Sequence, residues 1–514
     1  VKNQNNNFYL GLDQGSGSTK ALLIDSNGKE IFSDSIPVKT IQVNIGQTIG
    51  VAEQDGVELF DSILELTHRA KQYAAKNNGV INSIGLSLQR SAVLAWSKDG
   101  TPISKVITWR DARVKDDIVN LKSEAETIYQ ETGLPLTYHY AAAKIALLQK
   151  IYPNVNGETF IGTLDTYFTY RISEGKLFIT EESHASRSQL YSLQKRSWSK
   201  NLCKIFSVDI DRLPKIIPSF SEVGEQVGKL QGIDVLSIMG DQQAAFFGVN
   251  DRNNPVLNIG TVASLISLQG GQEEDQEGDP AKITDGYLTG VSWSQGQNIE
   301  YQIEASINAS GVTVDYLKEK HGLINGVNDI NEILSSYLPT DNAAVAFFTY
   351  PDKVSSGSPY WRNDLSNIYD KEPQNKIENV AALIENLAFW ICYNFEQLKD
   401  RGSIPKNASF LTVAGGGSEL QYLLRCITSV LKIPIRKVRN FQGSGYGAAL
   451  VALIAYREIN RENSLEKESL NDIKSKLKLD LQYDEIAMQI NAQIKNISER
   501  YIIWKAMMQK ALNN

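Results

Sequence analysis

Cysteine is scarce in this chain of 514 residues: only Cys203, Cys392 and Cys426 occur, far apart and odd in number. That pattern supports neither a disulfide framework nor a cysteine metal site, and it fits a reducing, cytoplasmic location. Histidine is almost as rare, and His68, His139, His184 and His321 lack ligand spacing. Three of them read as ordinary surface or core residues. No apolar run approaches the length needed to cross a bilayer, the longest being around Ala448 to Ala455, and the polar start Val1 to Asn7 has no signal core. A membrane is therefore not an expected partner. A basic excess is also missing: the net charge is −7 and the pI near 5.4. No Lys/Arg stripe with interleaved aromatics appears, which argues against nucleic acid, and solubility accounts for the charge.

Two phosphate-binding signatures are absent as well. Gly224 to Leu230 reads G-E-Q-V-G-K-L, one residue short of the G-x-x-x-x-G-K-[ST] loop and without its hydroxyl. A G-x-G-x-x-G turn opening a helix is missing too, because the first glycine-rich turn leads into another strand.

What is present is an average globular composition, 42% hydrophobic and 22% charged, in a chain too long for one core. Two or more domains with room for a cleft are expected. From Phe8 to Ser33 the pattern predicts three strands, with a Gly-rich turn after Asp13 and an Asn27-Gly28 hairpin signal. Leu59, Ile63 and Leu66 then predict an amphipathic helix over Glu58 to Asn77, followed by strands at Ile84 to Ser87 and Val93 to Trp96. Strands covered by helices make a layered α/β domain. The opening unit recurs near Val256, where a strand through Ile259 meets Gly260-Thr261 and continues as Ser264 to Leu268, so a duplication is expected. Val380, Leu383, Ile384, Leu387, Ile391 and Leu398 predict a long core helix. Ile494, Ile497, Tyr501, Trp504 and Met508 predict another that packs on the second half. Gly270 to Gly286 reads as an acidic solvated loop, and Arg461 to Lys478 as a charged exposed segment.

Three sites carry candidate chemistry. In Asp13-Gln14-Gly15-Ser16-Gly17-Ser18-Thr19-Lys20, small residues admit phosphate oxygens to backbone N–H groups, while hydroxyls and Lys20 add hydrogen bonds and charge. An ordinary Gly-Ser hairpin explains that segment equally well. Gly240-Asp241-Gln242-Gln243 follows the apolar Val235 to Met239, and an Asp at a strand end can orient a hydroxyl, or simply cap a helix. Gly415-Gly416-Gly417-Ser418 precedes Leu420, Leu423, Leu424, Ile427 and Leu431 at helical spacing. Three glycines there can admit a flat nucleotide and offer N–H groups to its phosphates, which a plain turn rarely requires.

The order of these motifs resembles the actin-like ATPase superfamily and, more narrowly, the FGGY carbohydrate kinases, over nearly the whole chain. The resemblance also rests on Leu88-Gln89-Arg90-Ser91, Thr108-Trp109-Arg110-Asp111, Tyr138-His139-Tyr140 with Lys144, Gly162 to Thr166, Ala185-Ser186-Arg187, Leu257 to Thr261 and Gly443 to Ala449. Each is weak alone, and their joint order is specific. The resemblance implies two domains of the duplicated ribonuclease-H-like type about a central cleft. Residues 1–250 would carry the acceptor and the catalytic aspartate, and residues 251–514 the nucleotide. It implies ATP-dependent phosphorylation of a hydroxyl on a small polyol or sugar, as in glycerol kinases, with Asp241 receiving the hydroxyl proton. Asp13 and Asp241 would hold Mg2+. Gln14, Gly15, Ser16, Gly17, Ser18 and Lys20 would form one phosphate turn, with Gly260 and Thr261 as the second. Gly415, Gly416 and Gly417 would lie along the nucleotide, and Arg90, Trp109, Asp241 and Gln242 would line the acceptor pocket. A homodimer or homotetramer is expected by the same likeness.

Several positions depart from the glycerol kinase pattern. Ser91 stands where an acidic residue follows the pocket arginine, His139 stands where a tyrosine is expected, and Ser264 replaces an aromatic. These departures imply a wider, more polar pocket and an alternative acceptor, a longer polyol or a pentulose. His139 then either contacts the acceptor or only fills space. Leu420, with Gln421 beside it, occupies the position of an adenine-contacting asparagine, so loose base recognition is expected. A non-catalytic actin-like ATPase, such as a chaperone or filament subunit, is the reading from another class. It leaves Arg90 and Trp109 without a purpose.

Overall fold

The computed structural model describes residues 6–45, 48–154, 157–220, 227–249, 253–269, 281–319, 322–350, 355–438, 443–460, 483–486, 494 and 496–513. Residues 250–252 around the expected domain boundary, His321, Gly224 to Gln226, most of the acidic segment after Gly270, and Arg461 to Lys478 lie outside them.

The opening strands form as their alternation requires. β1 (Asn6–Gln14), β2 (Ser18–Asp25) and β3 (Glu30–Pro37) make an antiparallel meander. Its second turn places Gly28 at φ 82°, a conformation that favours glycine. β4 (Gly79–Leu88) and β5 (Ile233–Gly240) join in parallel on the far side of β1, with Gly228–Leu230 at the edge. α1 (Gly56–Lys76) is capped by Asp55, whose carboxylate accepts from the amides of Val57 and Glu58, and it buries Leu59, Ile63 and Leu66 on this sheet. A side sheet inserted between β3 and β5, built from Ile41–Ile45, Thr48–Gln54, Val106–Ile107, Val93–Ser97 and Thr159–Thr163, supports α2 (Ala142–Ile151).

After α3 (Asp241–Val249), the second sheet begins with β6 (Val256–Ile259) and β7 (Ala263–Leu268). β8 (Leu288–Gln295), β9 (Asn298–Ile307), β10 (Leu411–Ala414) and β11 (Ile435–Val438) complete it, with Tyr483–Ile486 at its edge. The run β9–β7–β6 is antiparallel, and β10 and β11 then add in parallel, the same path as β3–β2–β1–β4–β5. The duplication inferred from one shared turn thus extends to a whole sheet. α4 (Lys376–Asp400) buries all six of its predicted apolar positions. α5 (Gln421–Leu431) follows the triple glycine, and after it come α6 (Gly443–Ile459) and α7 (Ile497–Asn513). α7 docks on the second half through Trp504, whose indole N–H donates to Asn386, and through a buried pair between Arg500 and Glu385.

α6 belongs to the second half by sequence, yet it packs with α3 against the other face of the first sheet. This close approach depends on glycine. A methyl group on Gly11 would lie 2.0 Å from the carbonyl oxygen of Gly445, and one on Gly447 would lie 1.7 Å from that of Ala244. Neither site has room for a side chain.

Candidate active site

β1 and β5 both run parallel to β4, so the carboxyl ends of all three strands meet at one edge of the first sheet. In register, Asp13 pairs with Ser87 and Gly240 with Leu88. Loops at such an edge are where open α/β sheets bind ligands. Asp13 is buried and accepts from the Ser87 hydroxyl at 2.9 Å. Its carboxyl is pushed up to about 6 by burial and then by the charge of Asp241, against hydrogen bonds from Ser87 and Ser444 and the charge of Lys20. Asp241, the first residue of α3, is partly exposed; its Oδ1 lies 3.1 Å from Arg90 Nε and accepts from the Gln242 amide at 2.8 Å.

Around Arg90 the site is crowded with charge. Arg187, Glu304 and Tyr140 all lie within electrostatic reach of Arg90, and Arg187 is paired with Glu304 of β9. Arg90 Nη1 is buried without a partner among the described residues. The departure at Ser264 has a structural counterpart: its hydroxyl donates to Glu304 Oε1 at 2.9 Å, so that side chain is engaged by a carboxylate rather than packed as an aromatic. Trp109 and His139 have ring centroids 6.1 Å apart, and the Arg110 guanidinium sits 4.9 Å from the Trp109 centroid. His139 Nδ1 is bonded to Thr137 Oγ1 at 2.9 Å. Burial, with the Lys144 charge nearby, pushes the imidazole down to about 4, so it is neutral at neutral pH.

In the first glycine-rich turn the carbonyls are occupied, and the Ser16 and Gly17 amides have no partner among the described residues. Ser16 O accepts from Gln54 Nε2 at 2.9 Å and Thr40 Oγ1 at 3.2 Å, and Gly17 O accepts from the Val38 amide at 3.1 Å. Gln14 is fixed beneath by Gln89 at 3.0 Å, and the Gly15 amide closes the turn on Ser18 O at 3.0 Å. Lys20 lies opposite Asp13 on β2. Gly260 and Thr261 form an exposed tip, backed by the Ser310 hydroxyl and the Gly311 amide, each donating at 2.9 Å.

The third site joins the others through side chains. A methyl group on Gly415, whose φ is 86°, would lie 2.6 Å from Asn258 Oδ1 and from Ile259 O, and one on Gly417 would lie 2.2 Å from Ile259 Cγ2. Gly416 faces open space. Asn258 Nδ2 in turn donates to Gln242 Oε1 at 3.2 Å. A continuous line of neighbours therefore runs from Asp13 through Asp241, Gln242 and Asn258 to Gly415. Leu420 is buried and Gln421 exposed, so position 420 offers no polar group to a base. Sequence reasoning missed the Arg187–Glu304 pair and the Asn258–Gln242 bond, although Arg187 stood in a noted motif and Asn258 directly precedes the second turn.

Residues 8–248 match the N-terminal domain of the FGGY family of carbohydrate kinases, and residues 279–456 match its C-terminal domain. The chain belongs to that family: it is an ATP-dependent carbohydrate kinase that phosphorylates an alcohol group on a small polyol or sugar. Among its relatives, the glycerol kinase of Aquifex aeolicus is 28% identical over 459 residues, covering 86% of this chain and 88% of that protein. The glycerol kinase of Trichlorobacter lovleyi is 28% identical over 470 residues, covering 87% and 90%. In fold, the chain is similar to Plasmodium falciparum glycerol kinase with ADP, at TM-score 0.81 and 21% identity, covering 99% and 98% of the two chains. It is also similar to a ligand-bound xylulose kinase from Lactobacillus acidophilus, at TM-score 0.78 and 18% identity, covering 98% of each. Among the described residues no helix is long and apolar enough to cross a membrane.

Proposed function

We propose that the acceptor is a small polyol whose reacting hydroxyl rests against Asp241 beside Arg90, with Trp109, His139 and Gln242 around it. Residues 1–250 supply this acceptor site, and residues 251–514 supply most of the nucleotide site. The observation that carries the reading is the Arg90–Asp241 pair at the strand edge beside Asp13. Glycerol is the first acceptor to test, because the relatives in sequence are glycerol kinases. The Ser264–Glu304 bond favours a second reading, a longer polyol or a pentulose, since a hydroxyl and a carboxylate take the place of an aromatic wall.

Asp13 and Asp241 are hard oxygen donors close enough for one charge to act on the other, which fits Mg2+ held jointly with water and phosphate oxygens. The ion would neutralise charge on the phosphates being separated. Asp241, oriented by Arg90, aligns the acceptor hydroxyl. A carboxylate is a poor base towards a resting alcohol, but it can accept the proton as the oxygen–phosphorus bond forms. The amides of Ser16 and Gly17, with the tip at Gly260 and Thr261, approach the terminal phosphates, and Gly415 to Gly417 leave room for the nucleotide. Closure of the two halves would exclude water, which competes with the acceptor for the phosphoryl group. A homodimer or homotetramer is the proposed assembly, to be read by sedimentation.

The test is acceptor-dependent ADP release with Mg2+-ATP and a panel of glycerol, pentitols, ketopentoses and ketohexoses. Stimulation by glycerol alone supports the first reading and stimulation by a ketopentose the second. A response to none of them removes both.

A further inference from the structure

Lys144 is a basic side chain with no exposed surface, in the first turn of α2. Its ammonium has no carboxylate within ion-pair distance among the described residues; its hydrogen bonds go to two backbone carbonyls, His139 O at 2.9 Å and Ser91 O at 3.4 Å. Taking such a group out of water is costly, and burial pushes its pKa down to about 7, with Asp111 opposing and Arg113 adding to the shift. Leucine or methionine would fill the same volume without that cost. What lysine adds is a donor that reaches two segments at once.

Both segments border the proposed acceptor pocket. Ser91 has φ 61°, a left-handed conformation that strains any residue with a Cβ. It is held at both ends, by its hydroxyl on Arg187 O at 3.1 Å and by Lys144 on its carbonyl. The direction in which the chain leaves this residue also aims its predecessor, Arg90, whose Nε meets Asp241. His139, on the other side, faces Trp109. We propose that Lys144 is a positioning residue that ties the strained Arg90–Ser91 turn to the His139 loop and so sets the width of the acceptor pocket. It acts through these two carbonyls and touches neither substrate. The proposal rests on the acceptor site assigned under Proposed function.

The test uses the full chain, the acceptor that the wild type prefers, and steady-state kinetics in both substrates. Lys144→Met is expected to raise the acceptor KM about tenfold or more while leaving the ATP KM and the ATP-induced rise in melting temperature unchanged, because the nucleotide side is untouched. Lys144→Arg, which keeps the donors, should recover most of the loss. An unchanged acceptor KM in Lys144→Met overturns the proposal, as does a rise shared equally by both substrates, since that marks a general structural role. If Lys144→Met does not fold, Lys144→Gln decides. Its shorter carboxamide does not reach both carbonyls, so the acceptor KM should rise at constant ATP KM, and no rise overturns the idea. Asp241→Asn is measured alongside. If it stays fully active the acceptor site itself is wrong, whereas an inert Lys144→Met beside an inactive Asp241→Asn removes only the clamp.

Discussion

The hairpins β1–β2 and β6–β7 share one backbone plan and differ in their chemistry. Each leads a strand into a turn of small residues and back, at the same place in a duplicated sheet. The first ends on a carboxylate, Asp13, with Lys20 opposite; the second has Asn258 opposite Ser264 and no charge at its tip. The third glycine turn packs on the second hairpin, with Gly415 and Gly417 against Asn258 and Ile259. A cleft with carboxylates on both lips would repel a triphosphate. The first hairpin carries ionisable groups beside its turn that the second lacks, whereas the second sheet reaches the charge cluster at Arg90 through Glu304 of β9.

Substitutions on the two lips should therefore fail in different ways. Asp241→Asn is expected to lower kcat for acceptor phosphorylation by about 10²–10⁴ with little change in ATP affinity, as measured by coupled assay and by nucleotide titration. Equal losses in both would break the contrast. Gly447→Ala probes the helix that joins the halves. Its methyl group would collide with the Ala244 carbonyl, and overpacking of this kind costs about 1–3 kcal/mol, readable in denaturant unfolding.

On the second lip, Gly415→Ala should raise the ATP KM by roughly an order of magnitude and leave the acceptor KM alone, because φ 86° and the contacts with Asn258 oppose a side chain. Gly416→Ala meets open space and should leave stability unchanged. A pH-dependent effect concerns Glu181, buried behind the strand end that carries Asp241 and joined to it through Ser183, which accepts from the Gly240 amide at 2.9 Å. Burial pushes its carboxyl up to about 7, against His184, Ser183 and Ser219. The folded chain thus keeps a proton that the unfolded chain releases at the ordinary carboxylate value. The resulting stability is present at acid pH and is lost as pH rises through about 7. Between pH 5 and 8 the wild type should lose on the order of 1–3 kcal/mol relative to Glu181→Gln, seen in paired melting curves.

Much of this protein is local, and the local part was legible. Alternation marked the meanders, 3.6-residue periodicity marked α1, α4 and α7, and clustered glycines marked turns, because each pattern is imposed by the geometry of one short segment. The motif order placed the three candidate sites in the chain. Tertiary structure alone decided what those segments meet. Arg187 reaches Glu304, Asn258 reaches Gln242, and α6 crosses to the first sheet, where Gly11 admits its backbone. Lys144 read as one letter of a motif until folding buried it between two carbonyls. Distance along a chain carries no record of distance in space, and electrostatics and steric fit act only on the latter.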